Sequence, residues 1–121
     1  MSYYYYMLVE GSIYEPMYEH NDKKYIRIAV SDSTATTIRR IQDSKSHVLQ
    51  NVRIDDPLVG KILTIKVPFR YRRVMCEVKG KPVQSLVTND VVNIDVEFMG
   101  AWNVGGYSGY SWKLRSIQSL P

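Results

Sequence analysis

The sequence predicts a mainly β fold with one helix, an α+β chain whose strands close into a small, highly curved antiparallel barrel. Three observations carry this. Apolar and polar residues alternate in several separate runs, the period of a strand with one buried face. Only the segment after Ser31 repeats its apolar residues at helical spacing. Strands and helices do not alternate in the manner that builds a parallel open sheet, and turn residues divide the chain into roughly six or seven short strands.

Tyr3-Tyr-Tyr-Tyr-Met-Leu-Val9 is rich in strand-forming residues and predicts a first strand whose tyrosines divide between the two faces. Pro16 reads as a breaker, and His20 to Lys24 as a hairpin turn into a strand over Tyr25–Val30. There Ile26, Ile28 and Val30 share one face, Tyr25, Arg27 and Ala29 the other. Ser31 and Ser33 offer capping hydroxyls for a helix from about Thr34 to Asn51, with an apolar stripe of Ile38, Ile41, Val48, Leu49 and Val52. Arg39 is expected to pair with Asp43, four residues on. From Lys61 to Tyr71 the odd positions Leu63, Ile65, Val67, Phe69 and Tyr71 are apolar and Lys66 and Arg70 lie opposite, with Pro68 marking an edge or bulge. Val74, Cys76 and Val78 continue as a second strand up to a turn at Lys79–Pro82. Asp90–Met99 turns Val92, Ile94, Val96 and Phe98 inward and Asn93, Asp95 and Glu97 outward. A loop with Gly105, Gly106 and Gly109 leads into the last strand, Tyr110 to Leu120.

A chain of 121 residues is expected to form one domain over 1–121. Sixteen basic against twelve acidic residues give a formal charge of +4, which permits a polyanionic partner. The excess is local: Gly60 to Pro82 carries Lys61, Lys66, Arg70, Arg72, Arg73, Lys79 and Lys81 against Glu77 alone. One cysteine, Cys76, offers no internal disulfide, which points to a reducing compartment; Cys76 reads as a small core residue. No apolar run reaches the roughly 20 residues of a membrane span, and no signal peptide is visible, so a cytoplasmic, non-secreted, non-membrane protein is expected. Catalytic motifs such as GxxxxGK[ST], GxSxG and HExxH are absent, and the two histidines do not make a zinc cluster. No enzymatic role, metal or cofactor is expected.

Recognition remains. If the outward faces adjoin, Arg27, Lys66, Arg70, Arg72, Lys113 and Arg115 line one groove as phosphate ligands, with the loop from Trp102 to Tyr110 at its rim. Trp102, Tyr107 and Tyr110 are the candidate stacking rings; Tyr25 joins them from its own strand. Tyr71 and Trp112 rank after them as binding candidates, because strand parity turns both toward the core. Unpaired bases stack on such rings for about 1–3 kcal/mol each, whatever the base.

Gly109-Tyr-Ser-Trp-Lys-Leu-Arg-Ser-Ile-Gln118 resembles the closing strand, Gly-x-Ser-(apolar)-x-Leu-x-x-Ile-Gln, of the OB-fold single-stranded DNA-binding proteins of phages and large DNA viruses, and Ile65-Lys-Val-Pro68 is similar to the strand that precedes a hairpin in them. The likeness covers the last half of the chain. It implies an OB-like barrel that coats exposed strands, with little sequence preference, in replication, recombination or repair inside a host cell, without a cofactor. Many such proteins end in an acidic tail that recruits partners; Ser119-Leu-Pro121 does not match it, so tail-mediated recruitment is not expected. Two alternatives stand beside single-stranded DNA: an RNA-binding module on the same OB-like frame, and a structural or assembly protein whose Tyr3–Tyr6 run makes a homodimer or higher oligomer.

Overall fold

Strand β1 (Tyr6–His20) is the axis of the fold, and its two halves do different work. The structure is a computed structural model that describes residues 6–121; Tyr3 to Tyr5 of the tyrosine run lie outside the described residues. The first half of β1 pairs antiparallel with β9 (Val91–Val104), from Tyr6↔Glu97 to Ser12↔Val91; the second pairs with β2 (Lys23–Ala29), from Ser12↔Ala29 to His20↔Lys23. Gly11 sits at the handover. A Cβ there would stand 2.5 Å from the Ala29 carbonyl oxygen and 2.7 Å from the Ile28 side chain, so only glycine lets the strands approach this closely. Pro16 does not end the strand. Register shifts on either side of Glu15 admit it as bulges, where a missing N–H costs no ladder bond.

The β1–β2 turn is Asn21-Asp22, both left-handed at φ 52° and 65°, the geometry of a two-residue hairpin whose twist matches its strands. β2 buries Ile26 and Ile28 and shows Lys23, Tyr25 and Arg27 on the other face. Helix α1 then spans Asp32–Asp43, shorter than the expected Thr34–Asn51. Ser31 caps it as foreseen, its Oγ accepting from the Thr34 N–H at 3.2 Å. Ala35, Ile38 and Gln42 form its buried stripe. The helix ends because Ser44 closes the last turn on Arg40, and the chain beyond is held by side chains from afar: the Gln50 N–H donates to Asn103 Oδ1 at 2.8 Å and the Asn51 N–H to Ser108 Oγ at 2.9 Å. Val52, assigned above to the helix stripe, is 98% exposed. Arg39 stands 4.0 Å from Asp56 in place of the expected Asp43.

Two short strands, β3 (Arg53–Asp55) and β4 (Leu58–Val59), precede β5 (Ile62–Val67), which buries Leu63, Ile65 and Val67. The expected Lys61–Tyr71 strand breaks at Pro68. After it β6 (Phe69–Arg70) and β7 (Arg73–Val74) make a separate two-stranded ribbon, so parity does not carry through and Tyr71 is 79% exposed, not turned to the core. β8 (Glu77–Lys79) lies parallel to the end of β10 (Tyr107–Ser119). Val74, Cys76 and Val78 pack partly buried against the core.

β9 (Val91–Val104) and β10 (Tyr107–Ser119) form a long hairpin through Gly105-Gly106. Val92, Ile94, Val96 and Phe98 point inward as expected. β10 pairs with β9 on one side; on the other it meets β3, then β5 at Lys113↔Lys66, then β8. That parallel contact with β5 closes the path β1-β2-β5-β10-β9-β1, so the fold is mainly β, with one helix and a sheet curled into a barrel-like ring. Closure hides backbone edges. Inside, Trp112 packs on Phe98 with ring centroids 4.9 Å apart and donates from Nε1 to Gln42 Oε1 at 3.0 Å, tying α1 to the interior.

Candidate functional site

Where β5 and β10 touch at a single residue pair, the wall of the ring opens into a cleft of about 730 Å³. The end of the β1–β2 hairpin forms one side, with Tyr18, Lys23 and Tyr25; β5 adds Thr64 and Lys66; the β9–β10 hairpin adds Trp102 and Val104; Asp55 and Asp56 close the far side; Tyr110 and Trp112 show at the floor.

The hairpin register brings Tyr18 opposite Tyr25, and their rings stack with centroids 5.8 Å apart and planes 29° apart. Burial, then the nearby Glu15 carboxylate, pushes the Tyr18 phenol above its usual value, so it stays neutral. Trp102 is half-buried for a local reason. It faces Gly109 across the β9–β10 pair, where a Cβ would come within 2.6 Å of the indole and of the Asp55 carbonyl oxygen. Glycine at 109 thus seats the indole flat on the strand, and the ring lines the cleft.

Three lysines gather beside these rings. Lys66 is the Cα partner of Tyr25 on β2 and of Lys113 on β10. Burial first, then the Lys23 and Lys113 charges, holds the Lys66 ammonium below the usual lysine value. None of Lys23, Lys66 and Lys113 is in an ion pair among the described residues; Lys113 faces Glu97 in the β9–β10 register, but that carboxylate is taken by Arg115. Asp56 is engaged elsewhere: its Oδ1 accepts from Gln42 Nε2 at 3.1 Å and from the Leu58 N–H at 2.9 Å. The cleft therefore has a cationic wall on the β2 and β5 side, with Lys113 behind Lys66, and an acidic one at Asp55 and Asp56.

The expected groove is redistributed by this geometry. Lys66, Lys113, Trp102 and Tyr25 come together. Tyr110 does not act as a rim ring: at 8% exposure it packs against Phe98 with centroids 6.0 Å apart, because the odd-numbered Gly109 and Ser111 take the outer face. Its phenol is pushed up by burial, then by Asp43 and Asp56. Trp112, 1% exposed, is core as parity predicts. Arg27 is held by Glu15 at 3.2 Å and over the Tyr14 ring at 5.0 Å, and Arg115 is ion-paired with Glu97, so neither is a free phosphate ligand. Tyr107 is exposed beside a second hollow of about 420 Å³ formed with Ile54, Asp55, Trp102 and Val104; the Arg53 guanidinium lies 5.8 Å from its ring centroid. Arg70 and Arg72 sit outside the cleft on the β6–β7 ribbon.

Tyr18 and Lys23 are the members that sequence reasoning missed. Tyr18 follows Pro16, taken as a breaker; the legible signal was its position, mirrored by Tyr25 across the His20–Lys24 turn. Among the described residues no three His, Cys, Asp or Glu side chains converge in a way that could hold a metal ion, and no helix is long and apolar enough to cross a membrane. Compared with known proteins, the chain matches no family model and no curated protein sequence.

Proposed function

We propose that the ring of strands is an OB-type barrel and that its cleft binds single-stranded nucleic acid without catalysing a reaction. One observation carries the reading: a stacked tyrosine pair and a seated tryptophan share a cleft with Lys23 and Lys66, and Lys113 stands beside Lys66 on the adjoining strand, none of the three held in an ion pair among the described residues. Rings alone would be a core and lysines alone a solvated face; side by side they match the two surfaces of an unpaired strand, its bases and its phosphates. The strand connectivity supports the barrel type. In such barrels the ligand face is made by the second and third barrel strands and the loops that flank them, and here the cleft lies on β2 and β5 between the β1–β2 and β9–β10 turns. Single-stranded DNA is the ligand that the C-terminal resemblance favours, in a strand-coating role during replication, recombination or repair; RNA is the alternative.

The test is fluorescence anisotropy of labelled oligo-dT, with duplex DNA and oligo-rU as competitors, over a salt series. Three lysines on three phosphates give a slope of log K against log salt of about −2, from roughly −0.7 per contact on a single strand. Saturable binding that duplex competes for poorly supports the reading, and the rU arm separates RNA from DNA. Binding that ignores salt, or that duplex displaces equally well, refutes it. A second reading, self-association, has its own foothold in Leu8, 85% exposed on the outer face of β1. Sedimentation of a Leu8→Glu variant tests it: an oligomer that survives the change rules out that surface.

A further inference from the structure

The β6–β7 ribbon concentrates local costs that the fold itself does not repay. Arg70 and Arg73 are direct cross-strand partners, and like charges in that position repel. The two turn residues between them, Tyr71 and Arg72, are left-handed at φ 55° and 62°, a region that suits Asn, Asp or Gly and not bulky side chains. The β1–β2 and β9–β10 hairpins turn through Asn21-Asp22 and Gly105-Gly106, residues suited to the same conformation. Arg70, Arg72 and Arg73 are exposed, and none pairs with a carboxylate among the described residues. The Tyr71 ring stands out in solvent with the Arg70 guanidinium 5.7 Å from its centroid. Unfavourable backbone and charge at one exposed tip point to a function served there.

The ribbon is also anchored to β2, at the strand end that borders the cleft. Phe69 lies under the Lys24 ammonium, 5.2 Å from its ring centroid, on the face of β2 opposite the cleft-lining Lys23 and Tyr25. Lys66, on the cationic wall, precedes Arg70 by four residues. The Met75 N–H donates to the Pro68 carbonyl at 2.8 Å and fixes the base of the ribbon.

We propose that the ribbon is a second, separable contact for the same single strand: nucleic acid leaving the cleft runs onto Arg70, Arg72 and Arg73 and stacks a base on Tyr71. A polyanion there neutralises the Arg70–Arg73 repulsion, and the exposed ring gains a partner. The inference rests on the cleft reading and adds that site length has two parts.

The experiment compares oligo-dT of about 4 and about 16 nucleotides, the span of site sizes for one barrel of this type. Replacing all three arginines with alanine leaves the short oligonucleotide's affinity within about twofold, weakens the long one at least tenfold, and lowers the long one's salt slope by about 2, three contacts at roughly −0.7 each. Arg73→Glu is the second variant. It exchanges a like-charge pair for an opposite one, so the protein melts higher while affinity for the long oligonucleotide falls; a higher melting temperature with unchanged affinity overturns the proposal. Equal losses on both lengths, or none on either, also overturn it, and so does a loss confined to a tailed duplex, which would make the ribbon a duplex contact. Wild-type protein that binds neither oligonucleotide brings down the cleft reading as well, and so is told apart from failure of the ribbon alone.

Discussion

Replacing Lys66 with methionine should make the protein more stable and a poorer binder at once. The thioether keeps most of the stem and removes only the charge. Lys66 lies opposite Lys113 in the strand pair that closes the ring, with Lys23 acting on it from β2. A like-charge cross-strand pair costs about 0.2–1 kcal/mol, which in a domain of this size is roughly 1–5 °C in Tm. Binding moves the other way. One charge-assisted phosphate contact is worth about 1.5 kcal/mol or more, tenfold or greater in Kd, and the salt slope falls by about 0.7. The pH dependence has a definite sign. The Lys66 value is lower in the folded than in the unfolded protein, so the folded state binds fewer protons between the two, and stability rises with pH across that window. The penalty is fully present below the folded value. Lys66→Met removes that component. Urea melts over a pH series, alongside anisotropy, read both effects; a variant that is less stable and binds as well as wild type would refute the reasoning.

Two substitutions and one reactivity measurement test the frame that holds the cleft. Gln42→Leu leaves the buried Trp112 Nε1–H without an acceptor and takes a donor from Asp56, and should cost about 1–3 kcal/mol in urea unfolding. Gly11→Ala drives a Cβ into the Ala29 carbonyl, which cannot swing aside, so a loss of about 1–3 kcal/mol is expected from calorimetry. Burial raises the Cys76 thiol above its usual value and keeps it protonated at neutral pH. Its reaction with a disulfide reagent should therefore lag behind that of an exposed peptide thiol and accelerate only at higher pH than the peptide does.

Period-2 patterning made much of the barrel wall legible: β2, β5, β9 and β10 fall where alternation puts them, and Ser31 announces the helix start. Patterning failed where distant side chains decide. The helix stops at Asp43 while an apolar rhythm continues to Val52, because Asn103 and Ser108 capture the following backbone, and no local signal reports bonds made by residues over fifty positions away. Pro16 misled because bulges can host it, and Pro68 because the chain changes sheets there, which turned Tyr71 outward. At the site, composition showed that rings and cations abound but not which were already spoken for. Arg27 and Arg115 looked free until Glu15 and Glu97 stood beside them, and Tyr18 drew no assignment because Pro16 read as a breaker, whereas β1 extends past it.

Tryptophan emission during an oligo-dT titration is the most direct test of the cleft, because only one of the two indoles can report. Trp102 is half-buried on the cleft wall and open to a ligand, whereas Trp112, at the floor, is 1% exposed and packed on Phe98. Saturable quenching that weakens with salt, persists in Trp112→Phe and disappears in Trp102→Phe is the expected result. No quenching at low salt, or quenching that survives Trp102→Phe, would contradict a single strand lying on that ring.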